Sequence, residues 1–133
     1  MKKILLPVVS CLLILVMLTG CKVGSYQFKE PVSEIESIEI VSAENSLEFT
    51  VLKILSKEEE KEFLEQFQAI QFYKYLGDPP NVYGDAIKIT YTNGIYEMIS
   101  PFVAEYVEGG VNKYRLRSCD EDEFNELLNN FLE

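Results

Sequence analysis

The chain has 133 residues, with 12 lysine and arginine residues against 22 aspartate and glutamate residues and a formal net charge of −10. Such an acidic surface repels phosphate backbones, which argues against nucleic-acid binding. The sequence contains no histidine and no tryptophan. Histidine-based catalytic triads are therefore excluded, together with most transition-metal sites.

The amino terminus has the pattern of a secretory leader. Lys2 and Lys3 precede an apolar run, residues 4–18, which is shorter than the about 20 residues needed to span a bilayer. The run ends in Leu18-Thr19-Gly20-Cys21, which resembles the lipobox of bacterial lipoproteins position by position. The resemblance implies that Cys21 receives a diacylglyceryl group, that the leader is cut before it, and that the new amino group is often acylated. An uncleaved anchor helix is the alternative, and the length and cleavage pattern favour it less.

Three segments are therefore expected. They are a signal peptide over residues 1–20, a lipidated tether over residues 21–31 and a single domain over residues 32–133. Removal of Lys2 and Lys3 with the leader leaves 10 basic and 22 acidic residues, a net charge of −12. We expect a domain of this charge to stand off an anionic membrane on its tether.

The cysteines provide no disulfide framework. Cys11 leaves with the leader and Cys21 carries the lipid, so Cys119 has no intrachain partner. A single cysteine of this kind is expected to be a small packing residue.

The domain opens with two strands and a helix. Alternation predicts strands over residues 35–42, with Ile38 and Ile40 on one face, and over residues 47–54, with Leu47, Phe49 and Val51 on one face. Ser56 followed three residues later by Glu59 is a capping box and predicts a helix over residues 57–68. Its buried stripe is Phe63, Leu64 and Phe67.

Five strands are expected next. The first covers residues 70–75, and an irregular stretch over residues 77–84 contains Pro79-Pro80. Asn93-Gly94 then predicts a hairpin with a two-residue loop. That loop pairs Tyr91 with Tyr96, Ile89 with Met98 and Thr90 with Glu97. The first two pairs form the core face, which leaves Ile95 and Ile99 as an exposed apolar patch beside Val103.

A second hairpin joins residues 102–107 to residues 111–117. A three-residue loop, Glu108-Gly109-Gly110, pairs Glu105 with Lys113. It also places Phe102, Ala104, Tyr114 and Leu116 on one face. Lys113, Arg115 and Arg117 alternate along the last strand and form a basic stripe. This stripe either receives an acidic partner or makes ordinary cross-strand pairs.

The last helix has the clearest pattern in the chain. Asp120 is a good cap with Glu123 three residues later, and the apolar stripe is Phe124, Leu127, Leu128 and Phe131. The order β-β-α-β-β-β-β-β-α has mostly short connections. It predicts an α+β fold in which a mostly antiparallel sheet of about seven strands carries two helices on one face.

Residues 83–132 resemble small lipoproteins of unknown function from Gram-positive bacteria. The resemblance is carried by Ile87-Lys88-Ile89-Thr90-Tyr91, the Asn93-Gly94 turn, Tyr96-Glu97-Met98-Ile99-Ser100 and the closing Glu123-Phe124 helix. The resemblance implies an envelope lipoprotein and indicates no particular activity.

Candidate chemistry is sparse. Residues 120–123 and Glu58-Glu59-Glu60 are acidic runs that could suggest calcium, but both open helices, where acids cap the helix and suit its dipole. No catalytic residue, metal site or cofactor is expected. The predicted contact surface is Tyr73, Tyr75, Asp78, Pro79, Pro80, Asn81 and Tyr83, because tyrosine is enriched at binding surfaces. The alternative for these residues is a rigid connection with packed tyrosines.

These observations favour a non-catalytic, lipid-anchored module that binds an envelope or secreted protein, of which an immunity or inhibitor role is one form. A lipoprotein that binds a small ligand or a cell-wall glycan is the alternative, and it would require a deep pocket. A hydrolase that uses carboxylates without histidine is the second alternative.

Overall fold

A computed structural model describes residues 22–75, 77–78, 80–115 and 117–133 of the chain. The predicted leader, Cys21, Pro79 and Leu116 lie outside the described residues. The strands are β1 (Lys22–Gly24), β2 (Ile35–Ala43), β3 (Phe49–Ile54), β4 (Phe72–Lys74), β5 (Gly84–Tyr91), β6 (Tyr96–Ile99), β7 (Ala104–Glu108), β8 (Val111–Arg115) and β9 (Arg117–Ser118). The helices are α1 (Lys57–Gln68) and α2 (Glu121–Leu132), with a 3₁₀ turn at Val32–Glu34.

The strands form two antiparallel sheets. The large sheet has six strands in the order β3-β2-β5-β6-β7-β8, and the small sheet has three strands in the order β1-β4-β9. The predicted α+β class and the predicted order of strands and helices are confirmed. The fourth strand differs from the prediction because it is shorter than residues 70–75 and pairs with β1 and β9, outside the large sheet.

Both helices begin where the caps predict. Ser56 and Glu59 form a complete capping box at α1, and Asp120 Oδ1 accepts a hydrogen bond of 2.9 Å from Glu123 N at α2. Each helix buries its apolar stripe against one face of the large sheet. This main core contains the fully buried residues Ile38, Ile40, Phe63, Phe67, Phe72, Ile87, Ile89, Tyr91, Ile99 and Phe124.

The opposite face of the large sheet carries a second, smaller core. Its buried residues are Val41, Ala43, Val82, Ala86, Met98 and Val103. The connection between β2 and β3 folds over this face, because Tyr96 Oη donates to the Ser46 carbonyl at 3.0 Å and Asn112 Nδ2 donates to Ser46 Oγ at 3.2 Å. Asn112 lies on β8, at the far edge of the sheet from β3. The sheet is therefore curled, and it is apolar on both faces.

The hairpin of β5 and β6 has a different register from the predicted one. Thr90 lies opposite Tyr96 and Ile89 opposite Glu97. Tyr91 N donates to the Ile95 carbonyl at 2.9 Å, so the loop has three residues, Thr92-Asn93-Gly94. A two-residue type I′ turn needs positive φ at both loop positions, but only Gly94 has it, at 88°. The predicted two-residue loop is therefore wrong.

A shift of one residue reverses the faces of a strand. Ile99 is fully buried in the main core and Ile95 packs against it, so the predicted exposed apolar patch does not form. Met98 lies in the second core and Tyr96 packs against that core. Glu97, predicted on the outer face, is instead on the main-core face and has an exposed fraction of 0%.

The hairpin of β7 and β8 also differs from the prediction. Its loop is shorter than predicted, whereas the loop between β5 and β6 is longer. Gly109 and Gly110 both have positive φ, 59° and 77°, and Glu108 lies opposite Val111. The loop is therefore two residues long, and the predicted three-residue loop is wrong. Lys113 pairs with Tyr106 in place of Glu105, and Ala104 lies opposite Arg115, with Glu105 opposite Tyr114. Phe102 precedes the strand and is exposed, so the predicted face of Phe102 and Ala104 does not form.

The segment predicted as a tether packs onto the domain. Residues 22–24 form β1, and Tyr26 is buried, with its ring centroid 5.5 Å from that of Phe67 and 5.2 Å from that of Phe72. Phe28 packs against the same core. Tyr26 and Phe28, in the segment predicted as a tether, therefore contribute to the main core.

The buried Glu97 carboxylate holds this segment in place. The hydroxyls of Tyr26 and Tyr91 and the backbone N–H of Lys29 all donate hydrogen bonds to it. A charge that is buried without partners is strongly destabilising, so these donors are what allow the carboxylate to lie in the core. Burial and the neighbouring Glu97 raise the pKa of the Tyr91 hydroxyl, which keeps it protonated as a donor.

We expect Tyr26→Phe to lower the free energy of unfolding by about 1–3 kcal/mol, because it removes one donor from a buried carboxylate while keeping the ring. Urea denaturation followed by circular dichroism measures the loss. Tyr83→Phe is the matched control, since the Tyr83 side chain is exposed, and it should change stability by less than about 0.5 kcal/mol. Equal stability of the two variants would contradict the role assigned to Glu97.

Candidate functional site

A cleft of about 600 Å³ lies where the loop before β5, the turn after β6 and helix α2 meet. The loop and β5 contribute Pro80, Asn81, Tyr83, Gly84 and Asp85. The turn contributes Ser100, Pro101 and Phe102, and the helix contributes Glu121, Asn125, Leu128 and Asn129.

One buried residue holds the loop before β5, which forms the first wall of the cleft. Val82 is fully buried in the second core, so its neighbours Asn81 and Tyr83 lie on the outside. Tyr83 is 75% exposed, the highest value among the large apolar or aromatic side chains of the described residues. An aromatic ring held at the edge of a cleft by a buried neighbour is available for contact with a ligand.

The turn wall is held by hydrogen bonds to backbone carbonyls. Ser100 N and Ser100 Oγ both donate to the Val103 carbonyl, at 3.0 and 2.9 Å. Cys119 N donates to the Pro101 carbonyl at 2.8 Å, which ties the turn to the chain entering α2. Val103 is fully buried while Phe102 is 43% exposed. The turn therefore presents a second aromatic ring on a rigid support.

The cleft wall formed by α2 consists of residues that lie four positions apart in the sequence. Glu121, Asn125 and Asn129 are four apart, so they lie in one row on the exposed face of α2. Leu128, which is 1% exposed, belongs to the main core and closes the cleft beneath this row. The helix therefore supplies an apolar floor with a polar row above it.

The cleft is acidic. Asp85 and Glu121 are carboxylates, the remaining polar side chains include three asparagines, and none of the described lining residues is a lysine or an arginine. Such a lining repels anions and suits a neutral or positively charged group. Asparagine side chains both donate and accept hydrogen bonds, so they can pair with peptide groups or with hydroxyls.

Only part of the contact surface predicted from the sequence lies at the cleft. Pro80, Asn81 and Tyr83 line the cleft. Asp78 is exposed but is not among the lining residues. Tyr73 and Tyr75 belong to the small-sheet region: Tyr73 is 39% exposed on β4, and the half-buried ring of Tyr75 lies against Gly77.

Sequence reasoning missed the other walls of the cleft. The row on α2 had a signal, polar residues at spacing of four, but an ordinary solvent-facing helix has the same pattern. Phe102 was assigned to a strand face, and its exposure follows from the turn at Ser100 to Val103.

Two buried carboxylates lie away from the cleft. Glu97 is in the main core, and Glu105 is 2% exposed on the second face, where its Oε2 has no hydrogen-bond partner among the described residues. Burial and the charge of Glu105 raise the pKa of Tyr96. Neither acid lines the cleft. Within the described part of the chain, no group of three or more potential metal ligands comes together.

No protein-family model, curated protein or solved structure matches this chain. Within the described ranges, no helix has both the length and the apolar character needed to cross a bilayer.

Cys119 packs in the main core, in agreement with the expected role of a small packing residue. Burial, with Glu123 and Asp120 nearby, raises the pKa of its thiol from 9.0 to about 12. The thiol is therefore protonated and buried at neutral pH, which argues against a nucleophile.

This raised pKa predicts a loss of stability in alkaline solution. Above pH 9.0 the thiol ionises in the unfolded chain but not in the folded protein, whose thiol titrates only at about 12, so unfolding is favoured as pH rises through this window. Between about pH 9 and about pH 10, the unfolding free energy should fall more steeply in the unmodified protein than in Cys119→Ala, by up to about 1 kcal/mol. Urea denaturation at several pH values measures the slopes, and parallel slopes would contradict the assignment.

Proposed function

We propose that this protein is a lipid-anchored protein on the outer face of a bacterial cell membrane, of the Gram-positive type, and that it acts without catalysis by binding an extended segment of an envelope or secreted protein. The anchor is the lipid on Cys21. The binding site is the cleft between the loop before β5 and α2. The observation that carries the binding role is the exposure of Tyr83 and Phe102 at an acidic, amide-lined cleft.

The aromatic pair favours a protein partner. Tyrosine and phenylalanine supply large contact areas and lose little conformational entropy on binding. Val82 and Val103 hold the two chain segments in the second core, so the rings are presented on fixed supports. Preorganised supports of this kind reduce the entropy cost of association.

The acidic lining of the cleft indicates the charge that the partner segment should carry. Asp85 and Glu121 lie in a chain whose processed form has 10 basic and 22 acidic residues. A segment with a lysine or arginine between apolar residues complements this lining, and the overall field increases its association rate.

A glycan or small-ligand receptor is the second candidate. The volume of about 600 Å³ lies within the range of about 300–1,000 Å³ typical of ligand sites. Asn81, Asn125 and Asn129 could also bind the hydroxyl groups of a sugar. Catalysis is not part of either proposal, because the buried acids Glu97 and Glu105 do not line the cleft and the two acids that do, Asp85 and Glu121, are exposed.

The anchor is tested by Cys21→Ser expressed in a Gram-positive host and labelled with radioactive palmitate. We expect this variant to lose the label and to leave the detergent phase on phase partition, because serine lacks the thiol to which the lipid is attached. Cys119→Ser is the matched control and should keep both properties. Unchanged labelling of Cys21→Ser would overturn the lipoprotein assignment.

The cleft is tested with the detergent-solubilised full-length protein and a library of extended peptides. We expect enrichment of peptides that place lysine or arginine between apolar residues, and a loss of affinity of about tenfold or more for Tyr83→Ala. Tyr73→Ala, which changes an exposed tyrosine outside the cleft, should bind as the unmodified protein does.

The same protein is tested against soluble cell-wall glycan fragments. Binding of a fragment that Tyr83→Ala weakens, with no enriched peptide, would replace the protein partner with the glycan alternative. Failure of both libraries to bind would overturn the assignment of the cleft.

A further inference from the structure

We propose that β8, at the open edge of the large sheet, pairs with an extended acidic segment of a protein partner, and that a carboxylate of this segment binds the ammonium groups of Lys29 and Lys113. None of these residues lines the cleft. The proposal therefore describes a second interaction surface and does not depend on the binding role of the cleft.

Two lysines meet at one aromatic ring beside β8. Lys29 Nζ lies 4.6 Å from the centroid of the Tyr106 ring, and Lys113 Nζ lies 5.8 Å from the same centroid. Both lysines are exposed, while Tyr106 is half-buried. A tyrosine ring attracts a cation within about 6 Å of its centroid. Tyr106 therefore holds together two ammonium groups that otherwise repel each other.

No carboxylate of the described residues neutralises these two lysines, because neither forms an ion pair there. The cross-strand neighbour of Lys113 is Tyr106, so the pairing with an acid that the sequence allowed does not occur. Two acids lie on the same face of the sheet. Glu97, opposite Tyr106, is buried and bonded by three donors, and Glu108, two residues after Tyr106, is exposed. In a chain with 22 acidic residues, the two lysines are left for a carboxylate from outside.

Hydrogen bonds fix the backbone on both sides of the ring. The backbone N–H of Lys29 donates to the Glu97 carboxylate. Asn112, which precedes Lys113 on β8, donates from Nδ2 to Ser46 Oγ at 3.2 Å on the opposite face of the sheet. A partner segment therefore meets a preformed surface, which reduces the entropy cost of binding.

The strand that carries Lys113 is open on one side. β8 is the last strand of the large sheet, and β7 is the strand that pairs with it among those described. Alternate residues of an edge strand point their N–H and C=O groups outward, where an extended peptide can continue the ladder. Val111 lies two residues before Lys113, hence on the same face, and is 59% exposed. The segment that fits has aspartate or glutamate opposite Lys113 and an apolar residue two positions away.

The charge of β8 favours an acidic partner segment over a second copy of the chain. Pairing β8 with β8 of another copy brings Lys113 close to its equivalent, and like charges facing each other destabilise a sheet. The negative charge elsewhere in the chain is screened, since the Debye length is about 8 Å at physiological ionic strength. A phosphate polymer would complement the lysines but has no peptide groups to pair with the strand edge.

The edge is tested with the detergent-solubilised full-length protein and a library of extended seven-residue peptides that have aspartate, glutamate, glutamine or lysine at the central position. We expect enrichment of peptides with a central acid and an apolar residue two positions away. Lys113→Glu should lower the affinity for an enriched peptide about tenfold or more, because it replaces attraction with repulsion. Lys61→Glu is the matched control, since Lys61 is an exposed lysine on α1, and it should bind as the unmodified protein does.

Two changes in the peptide show how it binds. A peptide whose central acid is replaced by lysine should prefer Lys113→Glu to the unmodified protein, which a misfolded variant would not show. Methylation of the peptide nitrogens that face β8 should abolish binding, whereas methylation of the alternate nitrogens should leave it unchanged, because the first set alone donates to the strand.

The outcomes separate this surface from the cleft. If no acidic peptide is enriched, or if Lys113→Glu binds an enriched peptide as tightly as the unmodified protein, the proposal is overturned. An acidic peptide weakened by Tyr83→Ala but not by Lys113→Glu would belong to the cleft, with the same consequence. Binding of soluble polyphosphate that Lys113→Glu weakens, without an enriched peptide, would overturn strand pairing and assign the lysines to a phosphate polymer.

Discussion

The buried carboxylate of Glu97 is the constraint on which the rest of the structure depends. It collects donors from Tyr26 and Lys29 in the first described segment and from Tyr91 on β5. A slip of β6 by one residue would move Glu97 to the second face and leave the tyrosine hydroxyls without their acceptor in the core. The hydrogen bonds to Glu97 therefore fix the register of the central hairpin and the position of the amino-terminal segment together. For the same reason, Tyr26 and Lys29 are bonded to the sheet that carries Glu97.

The second core has an equally direct consequence for function. Because the large sheet is apolar on both faces, Val82 and Val103 are buried on the face opposite the helices. Their burial positions the loop before β5 and the turn after β6, and these two segments meet α2 at the cleft. The exposure of Tyr83 and Phe102 is thus a result of packing elsewhere. The binding proposal depends on that fixed presentation.

A backbone hydrogen bond joins the cleft to the small sheet. Cys119 N donates to the Pro101 carbonyl, so the residue after β9 is bonded to the turn that forms one cleft wall. The first described residues, Lys22–Gly24, form β1, the other edge strand of the same small sheet. With the proposed lipid anchor at Cys21, the binding module would stay close to the membrane, which favours partners that are themselves confined to the envelope.

The sequence by itself determined what depends on neighbours along the chain: the bounds and caps of both helices, their buried stripes, the order of elements and the α+β class. Caps and stripes involve residues three or four apart, so their physics is local. The loop lengths at Asn93-Gly94 and Gly109-Gly110 were predicted the wrong way round, because each dipeptide is compatible with more than one turn. The tertiary structure decided between them through burial on two faces and through Glu97, whose partner Tyr26 lies 71 residues earlier in the chain. The packed amino-terminal segment and the cleft arise in the same way, from contacts between residues that are distant in sequence and whose pairing no local pattern specifies.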